Sequence, residues 1–375
     1  MSAGSVIITA VFAVIFLGIA VLAILGFRST GKATARQTAP TGRKKSGRTV
    51  AAPRRGWRRR KQDRAALLPV DATVSFAAER QAAGIDEVLE ALDNDLVGLV
   101  PVKKKVQEIA ALLLVDGARR RFGLDAPRPN LHMCFTGPPG TGKTTVALRM
   151  ADLLHRLSYL ERGQLVHAMR DDLVGEYIGQ TAPKTKRVLD RAMGGVLFID
   201  EAYYLYRIGD SLDYGQEAID ILLQVMENDR DRLVVILAGY KDRMDGFFGS
   251  NPGMSSRIAH HLDFAAYELD ELSAIGRLML QRSRYYLSED AEAALREYLR
   301  RQMAEPRFAN ARSVRNELER ARLRHAHRLA SDLHRNWTRD DLMRLEPPDI
   351  LTDGAELLLE GNRTRLPAAR RGTPR

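Results

Sequence analysis

Residues 131–154 read LHMCFTGPPGTGKTTVALRMADLL, and they contain the strongest indication of a fold class in the chain. Four of its first six residues are apolar, which indicates a buried strand over 131–136. Its last ten residues, 145–154, are mostly strong helix formers. Between them, residues 137–144 match the pattern G-x-x-x-x-G-K-[ST] in the strand–loop–helix context that this pattern requires. The sequence therefore predicts an α/β domain with a phosphate-binding loop.

Each residue type in this loop suits phosphate binding. Gly137, Gly140 and Gly142 let backbone N–H groups close around a phosphate, and the helix N-terminus adds its positive end. Lys143 is expected to reach the β- and γ-phosphates, and Thr144 to place its hydroxyl on Mg²⁺. The predicted nucleotide-binding set is Gly137, Pro138, Pro139, Gly140, Thr141, Gly142, Lys143, Thr144 and Thr145.

A second apolar run, residues 195–199, ends in two carboxylates, Asp200 and Glu201. Carboxylates at the end of a buried strand are costly unless they bind something. Asp200 is predicted to bind Mg²⁺, and Glu201 to act as the base that polarises the attacking water. Together with Lys143, they predict Mg²⁺-dependent hydrolysis of a nucleotide.

The order of apolar segments predicts the fold class and the domains. Residues 233–237 read as another buried strand, which completes the signature of a parallel α/β sheet covered by helices. After residue 263, apolar residues recur at helical spacing in 291–301 and 313–330, so a small all-α domain is expected. The predicted organisation is an α/β domain at 71–262, a helical domain at 263–345 and a flexible tail at 346–375.

The charge of the chain is concentrated near its N-terminus. The net charge is +11, from 58 Lys and Arg against 47 Asp and Glu. Residues 28–64 hold fourteen basic side chains and one acidic one, so this segment alone carries +13 and the residues after it carry −2. The basic balance therefore does not describe the α/β body, and no nucleic-acid partner is expected.

Residues 6–27 form a nearly unbroken apolar run of 22 residues. As a helix they would extend about 33 Å, enough for a bilayer core of about 30 Å. The basic segment that follows, read as a disordered linker over 28–70, would keep the remainder of the chain in the cytoplasm. Two alternatives stay open: a cleaved organelle address, because residues 28–62 lack acids and are rich in Arg, Ser, Thr and Ala, or a mis-assigned start.

Longer stretches of the sequence resemble AAA+ ATPases, and within them the red-type Rubisco activase family. The resemblance extends from about residue 74 to about residue 353. It is most specific in 170–186 (RDDLVGEYIGQTAPKTK) and 213–228 (DYGQEAIDILLQVMEN). The other stretches that carry it are 131–147, 192–206, 250–264 and 308–316. The resemblance implies an AAA+ domain with a helical lid and assembly into a ring, expected to be a hexamer.

The resemblance also implies roles for residues outside the phosphate loop. Val97 and Gly98 would pack near the adenine. Arg257 would be the arginine finger, offered to the γ-phosphate bound by a neighbouring subunit. Arg312 would be the sensor 2 residue of the lid, with Arg315 as the alternative.

Two further positions follow from the same resemblance. Tyr177, Ile178 and Gly179 look like the aromatic pore loop that grips an extended peptide in ring-forming AAA+ proteins. Many AAA+ proteins carry Asn or Thr at the end of the strand equivalent to 233–237, as a sensor for the lytic water. Here the chain continues Ala238-Gly239-Tyr240. That sensor is therefore not assigned.

As a function, the resemblance implies ATP-driven remodelling of inhibited red-type Rubisco. The ring would pull the C-terminal tail of the Rubisco large subunit into its pore and release tightly bound sugar phosphates, with ribulose 1,5-bisphosphate as an allosteric ligand. A removed address would place such a protein in the plastid stroma. The apolar run at 6–27 favours an alternative, a membrane-anchored AAA+ remodeller or secretion-associated ATPase that acts on an unrelated protein.

Overall fold

The computed structural model describes residues 67–124, 127–206 and 214–350. The predicted membrane segment at 6–27, nearly all of the basic linker and the chain after residue 350 lie outside these ranges. No helix within the described ranges is long and apolar enough to cross a membrane. Membrane anchoring therefore stays a prediction from the sequence.

The described chain begins with helices and continues into a sheet domain. The leading helices are α1 (Phe76–Ala82), α2 (Ile85–Asp95) and α3 (Val100–Arg121). The sheet domain contains β1 (Met133–Thr136), α4 (Lys143–Arg156), β2 (Leu165–Ala168), α5 (Arg170–Leu173), α6 (Thr181–Ala192), β3 (Val196–Ile199), a 3₁₀ turn (Ala202–Leu205), α7 (Gly215–Asn228), β4 (Val234–Gly239), α8 (Lys241–Ser250), α9 (Pro252–Ser255) and β5 (His260–Asp263). The lid contains α10 (Leu269–Arg282), β6 (Tyr286–Leu287), α11 (Glu289–Gln302), α12 (Ala311–Ala330), β7 (Arg344–Leu345) and α13 (Pro347–Ile350).

The sheet has five parallel strands in the order β2-β3-β4-β1-β5. Its residues point alternately to two apolar clusters. Met133 and Phe135 pack on the face covered by α2, α3 and α4, whereas Cys134 packs on the face covered by α6, α7 and α8. Burial raises the pKa of the Cys134 thiol to about 12, as expected of a core residue. Covering both faces explains why the central strands are continuous apolar runs, and the predicted parallel α/β sheet is confirmed.

The two outer strands, β2 and β5, were not predicted from the sequence. β2 reads LVHA and is largely half-exposed, and β5 reads HHLD, in which only the leucine is buried. An edge strand needs an apolar residue only where it faces the core, so it produces no continuous apolar run. Because β2 and β5 form the two edges of the sheet, β1 and β3 are interior strands, and the loops that follow them lie away from the sheet edges.

The helical lid is confirmed, with two details that the sequence did not indicate. β6 and β7 form a short parallel pair, in which Tyr286 faces Arg344. The predicted flexible tail begins too early, because residues 346–350 belong to the lid. Asp349 is buried, and its carboxylate accepts two hydrogen bonds from Arg328, from Nε at 2.9 Å and from Nη2 at 2.7 Å. This pair, in which the carboxylate is buried and the guanidinium partly exposed, holds the end of the lid on α12.

Asp95 joins the sheet domain to the lid. Its Oδ2 accepts a hydrogen bond from Nε of Arg149 on α4 at 3.0 Å, and its Oδ1 accepts one from Nη2 of Arg282 on α10 at 2.8 Å. Burial raises the pKa of Asp95, but the hydrogen bonds and charges of Arg149 and Arg282 outweigh it and hold the pKa below its ordinary value of 3.8. Three helices therefore meet at one ionised carboxylate.

We expect Asp95→Asn to lower the free energy of unfolding at neutral pH by about 1–2 kcal/mol, because charge-assisted hydrogen bonds are lost. Since the pKa is depressed in the folded state, this stabilisation is present above the ordinary value of 3.8 and is lost as the pH falls through the folded-state pKa. The variant should therefore lose less stability than wild type on acidification, as measured by denaturant unfolding across acid pH. Asp86→Asn, which removes an exposed ion pair with Arg80, is the control. Parallel acid profiles for wild type and Asp95→Asn would contradict the assignment.

Candidate active site

A cleft of about 540 Å³ lies between the carboxyl edge of the sheet and the lid. The carboxyl ends of β1, β3 and β4 reach it, because the ends of parallel strands meet at one edge of a sheet. Helices α10 and α12 of the lid close its other side. Its lining divides into a phosphate-binding loop, a pair of carboxylates, an apolar end and a pair of arginines.

The phosphate loop surrounds a half-buried lysine. Lys143 Nζ donates hydrogen bonds to the carbonyl oxygens of Gly137 at 2.8 Å and Pro138 at 2.7 Å. Burial lowers the pKa of Lys143, while the nearby carboxylates of Asp200 and Glu201 act in the opposite direction. A desolvated cation at the start of a helix is an arrangement that a polyphosphate completes. Of the predicted loop set, Pro138 does not line the cleft itself and contributes its carbonyl to Lys143.

The two carboxylates follow β3 and line the cleft opposite the loop. Asp200 Oδ1 accepts a hydrogen bond from the Glu201 amide at 3.0 Å, and Asp200 Oδ2 lies 3.8 Å from His167 Nε2. Glu201 has a left-handed backbone conformation, with φ of 49°. A non-glycine residue there costs about 1–3 kcal/mol, and such residues are concentrated at active sites. His167 could not be anticipated, because its strand, β2, was not predicted.

The oxygen ligands here fit a magnesium ion bound with a nucleotide. Mg²⁺ is usually held by one or two protein oxygens together with phosphate oxygens and water. The Thr144 hydroxyl and the Asp200 carboxylate supply two such oxygens on the same cleft. No group of three His, Cys, Asp or Glu side chains in the described part of the chain could hold a metal by itself.

The other end of the cleft is apolar. Leu96 and Val97 come from the turn after α2, and Ile275, Leu278 and Met279 come from α10. This surface suits a flat base. Val97 lines this end of the cleft, whereas Gly98 beside it does not, and the prediction that both pack near an adenine stays a prediction. The φ of Gly98 is 63°, and an added Cβ would overlap the Glu271 carboxylate, so this glycine allows α10 to approach.

The contribution of α10 was missed for a physical reason. An amphipathic helix has the same pattern whether its apolar face covers a core or a ligand. Arg312 and Arg315, the alternative sensor residues, both line the cleft from α12. The structure therefore brings both guanidinium groups to the site.

Arg257 does not line this cleft. It follows α9, and its Nη1 donates a hydrogen bond to the Gly253 carbonyl at 2.9 Å. Its Nε lies 3.4 Å from Glu227 Oε2, and its side chain is 29% exposed. The guanidinium is thus held in place on a surface separate from the site of its own chain.

The segment between α5 and α6 has an exposed tip on a buried base. Tyr177 is 67% exposed and Ile178 is 84% exposed, and the position after them, Gly179, has open space around it. At the base, Thr181 Oγ1 accepts a hydrogen bond from the Gly175 amide at 3.0 Å, and Thr185 Oγ1 donates one to the Leu173 carbonyl at 2.8 Å. Tyr177 is therefore not a core tyrosine, and the tip is presented from a fixed support.

The end of β4, where a polar sensor was sought, carries an aromatic cluster. Tyr240 lines the cleft. The Arg243 guanidinium lies 5.1 Å from the ring centre of Tyr203, 5.9 Å from that of Tyr204 and 5.6 Å from that of Tyr240. This cluster adjoins Glu201 in the chain, and sequence reasoning missed it because the tyrosines come from two separate segments.

Comparison with known families agrees with this division of the chain. Residues 133–264 match the "ATPase family associated with various cellular activities (AAA)", and residues 268–358 match the "AAA lid domain". The fold and the cleft therefore define the class: an AAA ATPase with a nucleotide-binding domain and a lid.

Individual relatives give a narrower result. The chain is 64% identical over 258 residues to "Protein CbxX, chromosomal" of Cupriavidus necator, which covers 69% of this chain and 81% of the relative. It is 58% identical to "Protein CfxQ homolog" of Guillardia theta, over 75% of this chain and 96% of the relative. It is 57% identical to "Ribulose bisphosphate carboxylase/oxygenase activase, chloroplastic" of Cyanidioschyzon merolae, over 74% and 95%. The chain belongs to this CbxX/CfxQ family of AAA ATPases, as its resemblance to Rubisco activases predicted.

Lys143 and Glu201 should separate nucleotide binding from hydrolysis. We expect Lys143→Ala to weaken ATP binding at least about 100-fold, because each charge-assisted phosphate contact is worth several-fold to tenfold or more. Glu201→Gln should bind ATP normally and lose nearly all hydrolysis, since an amide cannot accept the proton of water. Calorimetric titration and phosphate release measure the two steps. Lys186→Ala, an exposed lysine outside the cleft, is the control, and tight ATP binding by Lys143→Ala would contradict the assignment.

Proposed function

We propose that this protein hydrolyses ATP to remodel inhibited red-type Rubisco, releasing sugar phosphates that are tightly bound in its active sites. The observation that carries the proposal is 57% identity over 95% of a relative named as a Rubisco activase. The ATP-sized cleft and the exposed aromatic tip at 177–179 support the same function, because one supplies a motor and the other a contact for a protein substrate.

In the proposed hydrolysis, Lys143 binds the β- and γ-phosphates and Glu201 orients and deprotonates the attacking water. Thr144 and Asp200 would hold Mg²⁺, which would supply positive charge to neutralise the phosphates. The apolar end of the cleft, formed in part by Val97, receives the adenine. Arg312 or Arg315 contacts the phosphates from the lid, so that lid position follows the state of the nucleotide.

The position of Arg257 supports a ring of subunits. A guanidinium stabilises the transition state of phosphoryl transfer only if it reaches the γ-phosphate. Arg257 is outside its own cleft, so we propose that it acts on the nucleotide of a neighbour in a hexamer. The Gly253 carbonyl and the Glu227 carboxylate hold it ready for that contact.

Mixing two inactive variants tests the action of Arg257 on a neighbour. Arg257→Ala and Glu201→Gln should each lower the rate of ATP hydrolysis by about 10³-fold or more when assembled alone. A mixed ring contains interfaces at which an intact Glu201 meets an intact Arg257 of the next subunit, so ATPase activity should reappear on mixing. Native mass spectrometry confirms that mixed rings have formed. Mixed rings without recovered activity would exclude action in trans.

The exposed tip supports the proposed mode of remodelling. Tyr177 and Ile178 would grip the C-terminal tail of the Rubisco large subunit and pull it through the pore as nucleotide states change. The fixed base formed by Thr181 and Thr185 would transmit that movement to the tip.

A reactivation assay tests the function itself. The full chain with ATP should restore carboxylation by inhibited red-type Rubisco, and Tyr177→Ala should abolish this recovery while keeping at least about half of the ATPase activity, because the tip is outside the cleft. Leu323→Ala, at a residue 72% exposed on α12, is the control and should act as wild type. If wild type hydrolyses ATP but does not restore carboxylation, the Rubisco proposal is contradicted and an unrelated protein partner is favoured. Normal recovery with Tyr177→Ala would exclude pulling of the Rubisco tail by the tip, but it would leave the Rubisco proposal itself in place.

Two finer parts of the proposal rest on the sequence. Ribulose 1,5-bisphosphate would promote the ring as an allosteric ligand, at a site that is not assigned. The protein would be either anchored through residues 6–27 with its ATPase domain in the cytoplasm, or stromal in a plastid after removal of an address. N-terminal sequencing combined with membrane fractionation separates these locations.

A further inference from the structure

Three consecutive carbonyl groups of the phosphate loop accept hydrogen bonds from the lid side. Their donors come from the segment that enters the lid and from the start of α12. The pairs are Asn310 Nδ2 to Pro139 O at 3.1 Å, Ala311 N to Gly140 O at 3.2 Å, and Tyr267 Oη to Thr141 O at 3.2 Å. Burial raises the pKa of Tyr267 to about 12, so its hydroxyl keeps the proton that it donates.

These bonds orient the other side of the loop. In a trans peptide the C=O and N–H of one unit point in opposite directions. Holding the carbonyls of 139–141 toward the lid therefore turns the N–H groups of 140–142 away from it. N–H groups of this loop are the ones that close around a phosphate.

Asn310 has an unfavourable backbone conformation that its side-chain hydrogen bonds stabilise. It has φ of 48° and ψ of −129°, a left-handed backbone that glycine adopts without penalty. Asparagine before a helix usually caps it, but this side chain makes no capping bond to α12. Instead, Asn310 Oδ1 accepts from the Tyr267 amide at 3.0 Å, and Nδ2 donates to Pro139 O. The buried amide thus links the lid, its entry segment and the phosphate loop.

The backbones meet as closely as the side chains do. An added Cβ at Gly140 would overlap the carbonyl oxygen of Ala309 and lie 2.9 Å from the amide of Arg312. The loop and the first turn of α12 are therefore in direct contact. That same turn carries Arg312 into the cleft, so a shift of the loop displaces a cation that faces the nucleotide.

We infer that Asn310 and Tyr267 are positioning residues that couple the lid to the phosphate loop. A docked lid holds the loop N–H groups in the orientation that binds phosphate, and bound phosphate stabilises the docked lid by the same factor, because the coupling is reciprocal. The inference rests on the proposed role of residues 137–144 in binding ATP. It adds hydrogen bonds to the loop backbone as a second route between nucleotide and lid, beside the guanidinium groups of α12.

Three variants of the full chain test this coupling. Asn310→Gly relieves the left-handed conformation and removes both amide bonds, and Tyr267→Phe removes one hydroxyl. Ser313→Ala is the matched control, since it removes the Ala309 N–H···Oγ bond of 2.9 Å in the same turn without a contact to the loop. ATP and ADP should bind about three- to tenfold more weakly to Asn310→Gly and Tyr267→Phe. Ser313→Ala should stay within about twofold of wild type.

Two further measurements separate coupling from a purely structural role. The melting temperature of nucleotide-free Asn310→Gly should fall by no more than a few degrees, because relief of the positive φ partly offsets the loss of two hydrogen bonds. In wild type, ATP should slow hydrogen exchange of the amides at 310–315, and in both variants this protection should fall by the same factor as the affinity. A structural role would lower the melting temperature further and leave the affinity unchanged.

The outcomes separate this inference from the proposed function. Unchanged affinity in Asn310→Gly and Tyr267→Phe, with ATP bound by wild type, overturns the coupling alone. If Asn310→Gly does not fold, Tyr267→Phe decides, because one oxygen is removed from a folded protein. Failure of wild type to bind ATP overturns the proposed function and the coupling together.

Discussion

Strands β1, β3 and β4 end side by side, and their ends bring together a half-buried ammonium group and two half-buried carboxylates. Lys143 is hydrogen-bonded to two loop carbonyls, and its burial disfavours its own charge. Asp200 and Glu201 offset that cost across the cleft. The arrangement is stable because the charges compensate one another, and it is reactive because the compensation is incomplete until an anion and a metal are present. The rest of the sheet domain is the apolar scaffold that holds these ends at fixed separations.

The parts of the site that the sequence could reveal are those whose chemistry is local in the chain. The phosphate loop and the pair Asp200-Glu201 are contiguous motifs beside apolar strands, so pattern alone locates them. Gly98 lies one residue beyond Val97, and only the packing of α10 shows which of the two reaches the cleft. Asp349 stands in a Pro-rich stretch that looks frayed, yet Arg328, about twenty residues earlier, keeps it buried. The edge strands β2 and β5 were not predicted because part of each strand is exposed to solvent, so neither forms a continuous apolar run.

The contacts between the sheet domain and the lid could not be predicted from the sequence, because they join residues that are far apart in the chain. Asn310 and Tyr267 are 43 residues apart, and Asn310 and Pro139 are 171 apart, so no local pattern joins them. Asp95 likewise meets Arg149 and Arg282 from two distant helices. Both junctions hold the lid against the sheet domain, one at the phosphate end of the cleft and one near its apolar end. A nucleotide in the cleft would lie between these two junctions. The position of the lid would therefore respond to both the base and the phosphates of the nucleotide.

The exposed tip at 177–179 is structurally separate from the hydrogen bonds that hold its segment in place. Its side chains are exposed, while the hydrogen bonds that secure the segment involve Thr181, Thr185 and backbone groups below it. Mutations at the tip therefore alter what the protein touches without disturbing the core or the hydrolytic groups. Under the proposed function, such separation would allow the choice of client protein to change while the hydrolytic groups stay the same, and it would make the tip the place to engineer a new client.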